Sequence, residues 1–301
     1  MPTETRDGDE RDVVVVGGGP SGCAAGVFTA RYGLDTVVFD RGTAGLQRCA
    51  FVENYPGFPG GVDVPTLLAL FRDHAETAGC DRVEDAVERV TRPADAGDAD
   101  AGFVVETQDG RRVHSRYVLA ASWHDGSYLR PVVGSDGFEV HDHGDQTRER
   151  LNPEYADADG RTPVDGLYVA SPGGERSAQV VVAAGQGAHV ARGLLADHNR
   201  SEGVPEAVAA HHDWRRREAE FAGKWGDRDR WREWFEAAVG DDHGLDDDAL
   251  VEQREAYVDR AFAARLTDEA VERRTEAGYH RLLDHVDDEY IESYLAERDS
   301  A

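Results

Sequence analysis

Residues 13–26 read VVVVGGGPSGCAAG, a run of four valines that leads directly into a glycine-rich turn. A continuous apolar run of this kind is typical of a strand buried in a parallel sheet. Gly17, Gly19 and Gly22 then match G-x-G-x-x-G, which allows a tight turn, a close backbone approach to a pyrophosphate and close helix–strand packing. The pattern predicts a strand, a phosphate-binding turn and a helix from about Pro20 to Arg31, whose N-terminus faces the phosphates.

A second apolar strand, DTVVFD, ends at Asp40. The acid follows Gly17 at close to the spacing of about 20 residues at which a carboxylate meets the hydroxyls of an adenosine ribose. A carboxylate there repels a 2′-phosphate, so the predicted ligand is FAD-like or NAD-like rather than NADP-like. Pro20, Ser21 and Arg41 flank these positions and complete the predicted cofactor site.

The net charge and the cysteine pattern limit which classes of partner the protein can bind and in which cellular compartment it is expected. The 301 residues carry a formal net charge of −27, and Lys224 is the only lysine. We expect no nucleic-acid or anionic-membrane partner, and the acidic composition is typical of adaptation to high salt. The three cysteines include no Cys-x-x-Cys pair and no signal peptide is recognised, so we expect a soluble cytoplasmic protein. No histidine group has the spacing of a metal site, and none is predicted.

Three further segments carry a resemblance: VENYPGFP at 52–59, YVLAAS at 117–122 and DGLYVASPGGERSAQVVVAAGQGAHVARG at 165–193. Together with the glycine turn, and in this order, they resemble the thioredoxin reductase family of two-dinucleotide-fold flavoproteins. The resemblance implies FAD at the first nucleotide site, with Asn54 beside the isoalloxazine. It also implies a late helix, beginning near Ala178 and Gln179, whose N-terminus faces the flavin pyrimidine edge. Gly185 and Gly187 are expected to interrupt this helix.

The sequence also departs from the family. Only about forty residues separate Ser122 from Asp165, too few for the family's second nucleotide domain, and no glycine motif or cysteine lies among them. The late Ala-Gly-Asp of the family is replaced by Ala170, Ser171 and Pro172, so Ser171 retains only a hydroxyl. Ser122 ends Ala-Ala-Ser where the family has Ala-Thr-Gly. We therefore expect the NADPH site and the redox disulfide to be absent.

The predicted fold class is α/β, in two parts. Residues 1–200 are predicted to form a Rossmann-like FAD-binding domain with a parallel sheet and a β-meander over 83–116, which turns at Asp109-Gly110. Residues 205–301 are predicted to form about four helices. Four of the five tryptophans lie in this segment, and we expect them to form its core; a lid over the flavin or an oligomer interface made by some of them stays open. Three groups of apolar residues each fall on one helical face: Trp231, Trp234, Phe235 and Ala238; Tyr257, Val258, Ala261 and Phe262; and Leu282, Leu283 and Val286.

Two functions follow from these observations. The first is a FAD-dependent oxidoreductase that takes electrons from a protein partner or from a small-molecule substrate, since thioredoxin reductase activity itself is not expected. The second is a non-catalytic nucleotide-binding or scaffold protein that uses the same fold. No catalytic residue is assigned, because the nearest candidate, Cys49, is a lone cysteine of the kind that more often fills apolar space. The oligomeric state stays open.

Overall fold

The computed structural model describes residues 9–93, 102–122, 125–143, 146–170, 179–221, 223–241 and 243–300. The chain divides into two units, Met1–Leu194 and Leu195–Ala301. The strands are β1 (Asp9–Val16), β2 (Thr36–Phe39), β3 (Phe51–Val52), β4 (Val62–Asp63), β5 (Asp81–Val83), β6 (Val87–Thr91), β7 (Phe103–Thr107), β8 (Arg112–Ala120), β9 (Phe138–His143), β10 (Gln146–Leu151), β11 (Leu167–Val169), β12 (Arg216–Arg217) and β13 (Arg265–Leu266). The α-helices are α1 (Pro20–Tyr32), α2 (Val64–Ala78), α3 (Arg130–Val133), α4 (Val180–Ser201), α5 (Arg228–Val239), α6 (Asp247–Ala263), α7 (Asp268–Leu283) and α8 (Asp288–Asp299).

The first unit contains one mixed sheet in the order β5-β2-β1-β8-β7-β6. Strands β5, β2, β1 and β8 run parallel, whereas β6, β7 and β8 form the predicted antiparallel meander. The long strand β8 pairs with β7 through its first half and with β11 through its last three residues, both on the side opposite β1. The sheet confirms the predicted α/β class with a parallel sheet and a meander.

The predicted strand–turn–helix at the start of the chain is present. Val13, Val14 and Val15 of β1 are fully buried, as a central parallel strand requires. Helix α1 begins at Pro20 and ends at Gly33, which adopts the left-handed conformation at the C-terminal cap. Helix α2 begins at Asp63, whose side chain accepts a hydrogen bond from the Thr66 amide.

Helix α4 differs from the sequence prediction, because it continues through Gly185 and Gly187 without interruption. A Cβ added at Gly187 would lie 1.9 Å from the backbone oxygen of Ser21, whereas one at Gly185 would meet nothing within 4 Å. Gly187 therefore lets α4 pack closely on the start of α1. This packing does not require the helix to be interrupted.

In the second unit, α5, α6, α7 and α8 are the four helices that the sequence predicts. The core is aromatic: Phe235 and Val258 are fully buried, and Tyr257 contacts Trp231, Trp234 and Phe235 with ring centroids 5.5–6.5 Å apart. The prediction that the four tryptophans form this core is wrong for Trp214 and Trp234, which are 67 and 36% exposed.

Leu282, Leu283 and Val286, which the sequence places on one helical face, do not contribute to this core. These side chains are between 41 and 51% exposed, because the neighbouring elements of this unit do not cover them. In the described part of the chain, no helix is both long and apolar enough to cross a membrane. The domain limits predicted from sequence, 1–200 and 205–301, stay predictions.

Candidate functional site

A cavity of about 1050 Å³ lies at the carboxyl ends of the parallel strands of the first unit. Its walls are the glycine turn at 17–21, the loop at 40–49, the segment 85–88, the end of β8 with the residues that follow it, and two residues of α4, Val180 and Ala183. Ligands of open α/β sheets bind at this edge, and the volume matches the upper end of the range of roughly 300–1,000 Å³ for small-molecule pockets.

The glycine turn has the geometry that the motif requires. Gly17 has a φ of +119°, and a Cβ there would lie 2.9 Å from the backbone of Ala121. A Cβ at Gly22 would lie 1.7 Å from the carbonyl oxygen of Gly17, so only glycine lets α1 begin this close to β1. Gly19 caps α1 without a side-chain hydrogen bond, and no acid lies in the first turn. This N-terminus therefore fits an anionic phosphate.

Asp40 follows β2 and lines the cavity, although its side chain is almost fully buried. Its Oδ1 accepts a hydrogen bond from the Gly42 amide at 2.9 Å. Oδ2 lies 2.8 Å from Arg72 Nε and 3.6 Å from Arg82, but neither contact has hydrogen-bond geometry, so among the described residues Oδ2 has no hydrogen-bond donor. Asp40 is thus a charge-balanced carboxylate at the cavity wall, with Oδ2 enclosed by the two arginines.

Asp85 is the second buried carboxylate of the cavity, and an arginine also balances its negative charge. Its Oδ2 lies 2.6 Å from Arg111, and its Oδ1 accepts from the Ala86 amide at 2.7 Å. Burial alone would raise the pKa of Asp85, but hydrogen bonds from Thr107 and Arg111 lower it below its ordinary value. Because Asp40 and Asp85 each have an arginine partner, neither presents an uncompensated charge to a bound phosphate.

Ser122 and Tyr128 close the cavity beside the end of β8. The Ser122 hydroxyl lies 3.0 Å from the Tyr128 hydroxyl, and both residues line the cavity. Burial raises the pKa of Tyr128 to about 12, so the phenol stays protonated at any ordinary pH. Tyr128 belongs to the short link that runs from β8 to β11, where the described residues form α3 and the β9–β10 hairpin.

Asn54 and Gln179 lie together although 125 positions separate them. Asn54 Nδ2 donates a hydrogen bond to Gln179 Oε1 at 2.7 Å, and both side chains are exposed. Gln179 directly precedes α4, whose first residue, Val180, is one of the cavity-lining residues. The structure thus brings together two residues that the resemblance assigns to the flavin end.

The remaining predicted residues are placed as follows. Gly17, Gly19, Pro20, Ser21, Asp40, Arg41 and Ser122 line the cavity, and Gly22 lies behind the turn. The Ser21 hydroxyl is buried and donates to the carbonyl oxygen of Ala170, so it joins the start of α1 to the end of β11. Ser171 and Ala178 lie outside the described residues.

The cysteines do not form a redox pair in this structure. Cys23 and Cys80 are buried free thiols, and burial raises the pKa of each to about 12. Cys49 is exposed and lines the cavity. Among the described residues, no group of three or more His, Cys, Asp and Glu side chains is arranged to hold a metal ion.

Sequence reasoning missed Arg72, Asp85 and Tyr128. Arg72 and Asp85 belong to the site through contacts with residues far away in the sequence, Asp40 and Arg111. Tyr128 contacts Ser122 from a link of irregular structure. No motif marks these positions, and only the assembled sheet brings them to the cavity.

Several known proteins are similar to parts of this chain. No family model matches the chain. It is 31% identical over 137 residues to NADPH-dependent thioredoxin reductase 3 of Arabidopsis thaliana, covering 43% of this chain and 25% of that protein. It is 34% identical over 113 residues to thioredoxin reductase of Aquifex aeolicus, covering 37% of this chain and 33% of that protein. A thioredoxin reductase from Gloeobacter violaceus aligns with 64% of this chain and 96% of its own, at 19% identity and a TM-score of 0.48, too low to carry an argument.

The chain thus spans a third or less of the length of these two curated relatives. The similarity lies in sequence segments that are 31–34% identical, and both proteins are thioredoxin reductases. The resemblance of this chain to the thioredoxin reductase family is therefore confirmed.

Proposed function

We propose that the chain binds FAD in the cavity of its first unit and acts as an oxidoreductase whose electrons do not come from a nicotinamide bound to this unit. The observation that carries the proposal is the cavity itself. It joins the N-terminus of α1, which lacks a side-chain cap, Asp40 at the end of β2, and the start of α4 in one space of about 1050 Å³. An extended dinucleotide needs these three regions at once.

The adenosine half is assigned to the end of β2. The Asp40 carboxylate, which lines the cavity, accepts a ribose hydroxyl, and Arg72 and Arg82 hold it in place through Oδ2. The pyrophosphate lies at the glycine turn, where Gly19 leaves the backbone accessible and the dipole of α1 favours negative charge.

The flavin half is assigned to the side of the cavity nearest α4. Asn54 and Gln179 orient each other there, and the N-terminus of α4 stabilises negative charge at the pyrimidine edge. When bound, FAD supplies the capacity to accept and release electrons, which none of the side chains of this site has. Val180 and Ala183 exclude water from this side of the cavity.

The source of electrons is inferred from the link between β8 and β11. In place of a second nucleotide domain, its described residues form α3 and the β9–β10 hairpin, and the sequence between Ser122 and Asp165 contains no G-x-G-x-x-G. No Cys-x-x-Cys occurs in the 301 residues. A reduced protein such as a ferredoxin, or the substrate itself, is then the donor.

An anaerobic reduction experiment tests this proposal. The protein is reconstituted with FAD in high salt and mixed with NADPH, with NADH, or with chemically reduced ferredoxin, while flavin absorbance is recorded. We expect bleaching by the reduced ferredoxin and none within minutes by either nicotinamide. Rapid bleaching by NADPH would overturn the assignment of the donor. A protein that takes up no FAD would favour the non-catalytic alternative.

A further inference from the structure

The hydroxyl pair formed by Ser122 and Tyr128 lies beside the glycine turn. The amide nitrogen of Ser122 lies 3.0 Å from the position that a Cβ on Gly17 would occupy, and Gly17, Ser122 and Tyr128 all line the cavity. Gly17 opens the turn to which the pyrophosphate is assigned. The pair therefore lies at the phosphate end of the proposed dinucleotide site.

The direction of the hydrogen bond within the pair follows from the groups available to each hydroxyl. The two oxygens are 3.0 Å apart, and no other group among the described residues forms a hydrogen bond with either hydroxyl. Tyr128 is only 7% exposed, and a buried donor without an acceptor is costly. Burial also raises the pKa of Tyr128 to about 12, so the phenol keeps its proton. Tyr128 thus donates to Ser122, whose own proton is left for an acceptor in the cavity.

The link between β8 and β11 holds Tyr128 in place. Gly126 has a φ of +78°, and a Cβ there would lie 2.9 Å from the Cβ of Leu151, so the start of the link packs directly on the end of β10. The Leu151 amide donates a hydrogen bond to the carbonyl oxygen of Asp125 at 2.6 Å. Leu129, which follows Tyr128, is fully buried in the core of the sheet. The phenol therefore reaches Ser122 from a fixed segment, and a ligand that uses the pair has little side-chain freedom to restrict.

We propose, on the basis of the proposed FAD site, that Ser122 donates its hydroxyl proton to a pyrophosphate oxygen of the bound dinucleotide and that Tyr128 is the positioning residue that orients this hydroxyl. A pyrophosphate oxygen is an anionic acceptor, so it needs a donor of this kind. Tyr128 donates to the Ser122 oxygen, which leaves only the Ser122 proton directed at the ligand. The short link thereby contributes to the first nucleotide site.

Ligand titrations of the full chain in high salt test the role of Ser122. The ligands are FAD, ADP and adenosine, because ADP carries the pyrophosphate and adenosine does not. Ser122→Ala should weaken the binding of FAD and of ADP by roughly tenfold or more, and that of adenosine by less than about twofold. Ser135→Ala, an exposed serine of the same link outside the cavity, is the control and should bind all three ligands like the wild type.

The positioning role of Tyr128 has its own test. Tyr128→Phe should weaken FAD and ADP by roughly three- to tenfold, because Ser122 keeps its proton but loses the group that orients it. Since Tyr128 acts through Ser122, Tyr128→Phe should weaken ADP no further when it is combined with Ser122→Ala. Tyr155→Phe removes a hydroxyl from the same link, where the ring packs against the same core outside the cavity, and should change neither affinity.

The outcomes separate this inference from the proposed function. A wild type that binds neither FAD nor ADP would overturn both. If the wild type binds FAD and Tyr128→Phe binds it equally well, only the positioning role is overturned. Equal losses for ADP and adenosine in Ser122→Ala would show a structural effect instead of a hydrogen bond to the pyrophosphate. Additive losses in the double variant would show that Tyr128 does not act through Ser122.

Discussion

The side-chain amide of Asn54 donates a 2.7 Å hydrogen bond to the side-chain oxygen of Gln179. One residue follows β3 and the other directly precedes α4, so the bond ties the loop after β3 to the start of α4. Both side chains are exposed, and Val180, the residue after Gln179, lines the cavity.

Replacement of either partner should weaken FAD binding. We expect Asn54→Ala and Gln179→Ala each to raise the Kd for FAD by up to about tenfold, since a single hydrogen bond contributes about 0.5–1.5 kcal/mol. The double variant should lose little more than either single variant, because the two residues act as one unit. Gln108→Ala, away from the cavity, is the control. Strictly additive losses in FAD titrations would show that the pair does not act together.

Gly185 and Gly187 of α4 provide a matched comparison. Gly187→Ala should destabilise the protein by about 1–3 kcal/mol, because the added Cβ meets the Ser21 backbone at 1.9 Å. Gly185→Ala, in open space, should be neutral or stabilising by up to about 1 kcal/mol. Denaturant unfolding of both variants in the same salt measures this. Equal stabilities would mean that α4 does not pack against α1 this closely.

Asp40 holds two arginines as well as facing the cavity. Asp40→Asn keeps the volume but removes the charge opposite Arg72 and Arg82, and should cost about 1–3 kcal/mol, since these guanidinium groups are about a quarter exposed. The exposed Asp35, one of three carboxylates on Arg11, is the control, and Asp35→Asn should cost less than about 1 kcal/mol. Thermal unfolding in the absence of FAD measures the loss of stability separately from any effect on ligand binding. Equal losses of stability for Asp40→Asn and Asp35→Asn would contradict this role of Asp40.

The helices α5 and α6 are joined by an ion pair that gives a pH dependence. Two hydrogen bonds from Arg232, at 2.6 and 2.8 Å, outweigh the effect of desolvation and lower the pKa of Glu255 to about 2 from an ordinary value of 4.5. Since the folded pKa is the lower one, the stabilisation is complete above about pH 4.5 and is lost as the pH falls towards 2.

Acid titration of the unfolding free energy should show this dependence in the second unit. Glu255→Gln should flatten the slope between pH 4.5 and 2, whereas Glu252→Gln on the same helix should not. A variant with the slope of the wild type would show that the Arg232 pair does not stabilise the folded unit.

The parts of the fold that sequence predicts well are those with local causes. The run Val13–Val16, the glycine turn and the cap at Gly33 depend on neighbouring residues, so their pattern predicts β1 and α1 directly. The Asn54–Gln179 contact was within reach only through the resemblance, because 125 residues separate its partners. The cavity was predicted at its glycine turn and at the end of β2.

Other features depend on the assembled molecule. Arg72 reaches Asp40 only after α2 packs against α1 and β5, and Tyr128 reaches Ser122 from an irregular link. Periodicity places Leu282 and Leu283 on one helical face, but the pattern does not say whether that face is buried, and both side chains are about half exposed.

FAD titration of the purified protein in high salt measures the central claim most directly. Flavin absorbance and isothermal titration are recorded for the wild type, for Gly22→Ala, and for Gly60→Ala, where a Cβ meets nothing within 4 Å. The account predicts one FAD per chain for the wild type and Gly60→Ala, and none for Gly22→Ala, whose Cβ would lie 1.7 Å from the Gly17 oxygen. A wild-type protein that stays colourless after incubation with FAD would contradict it.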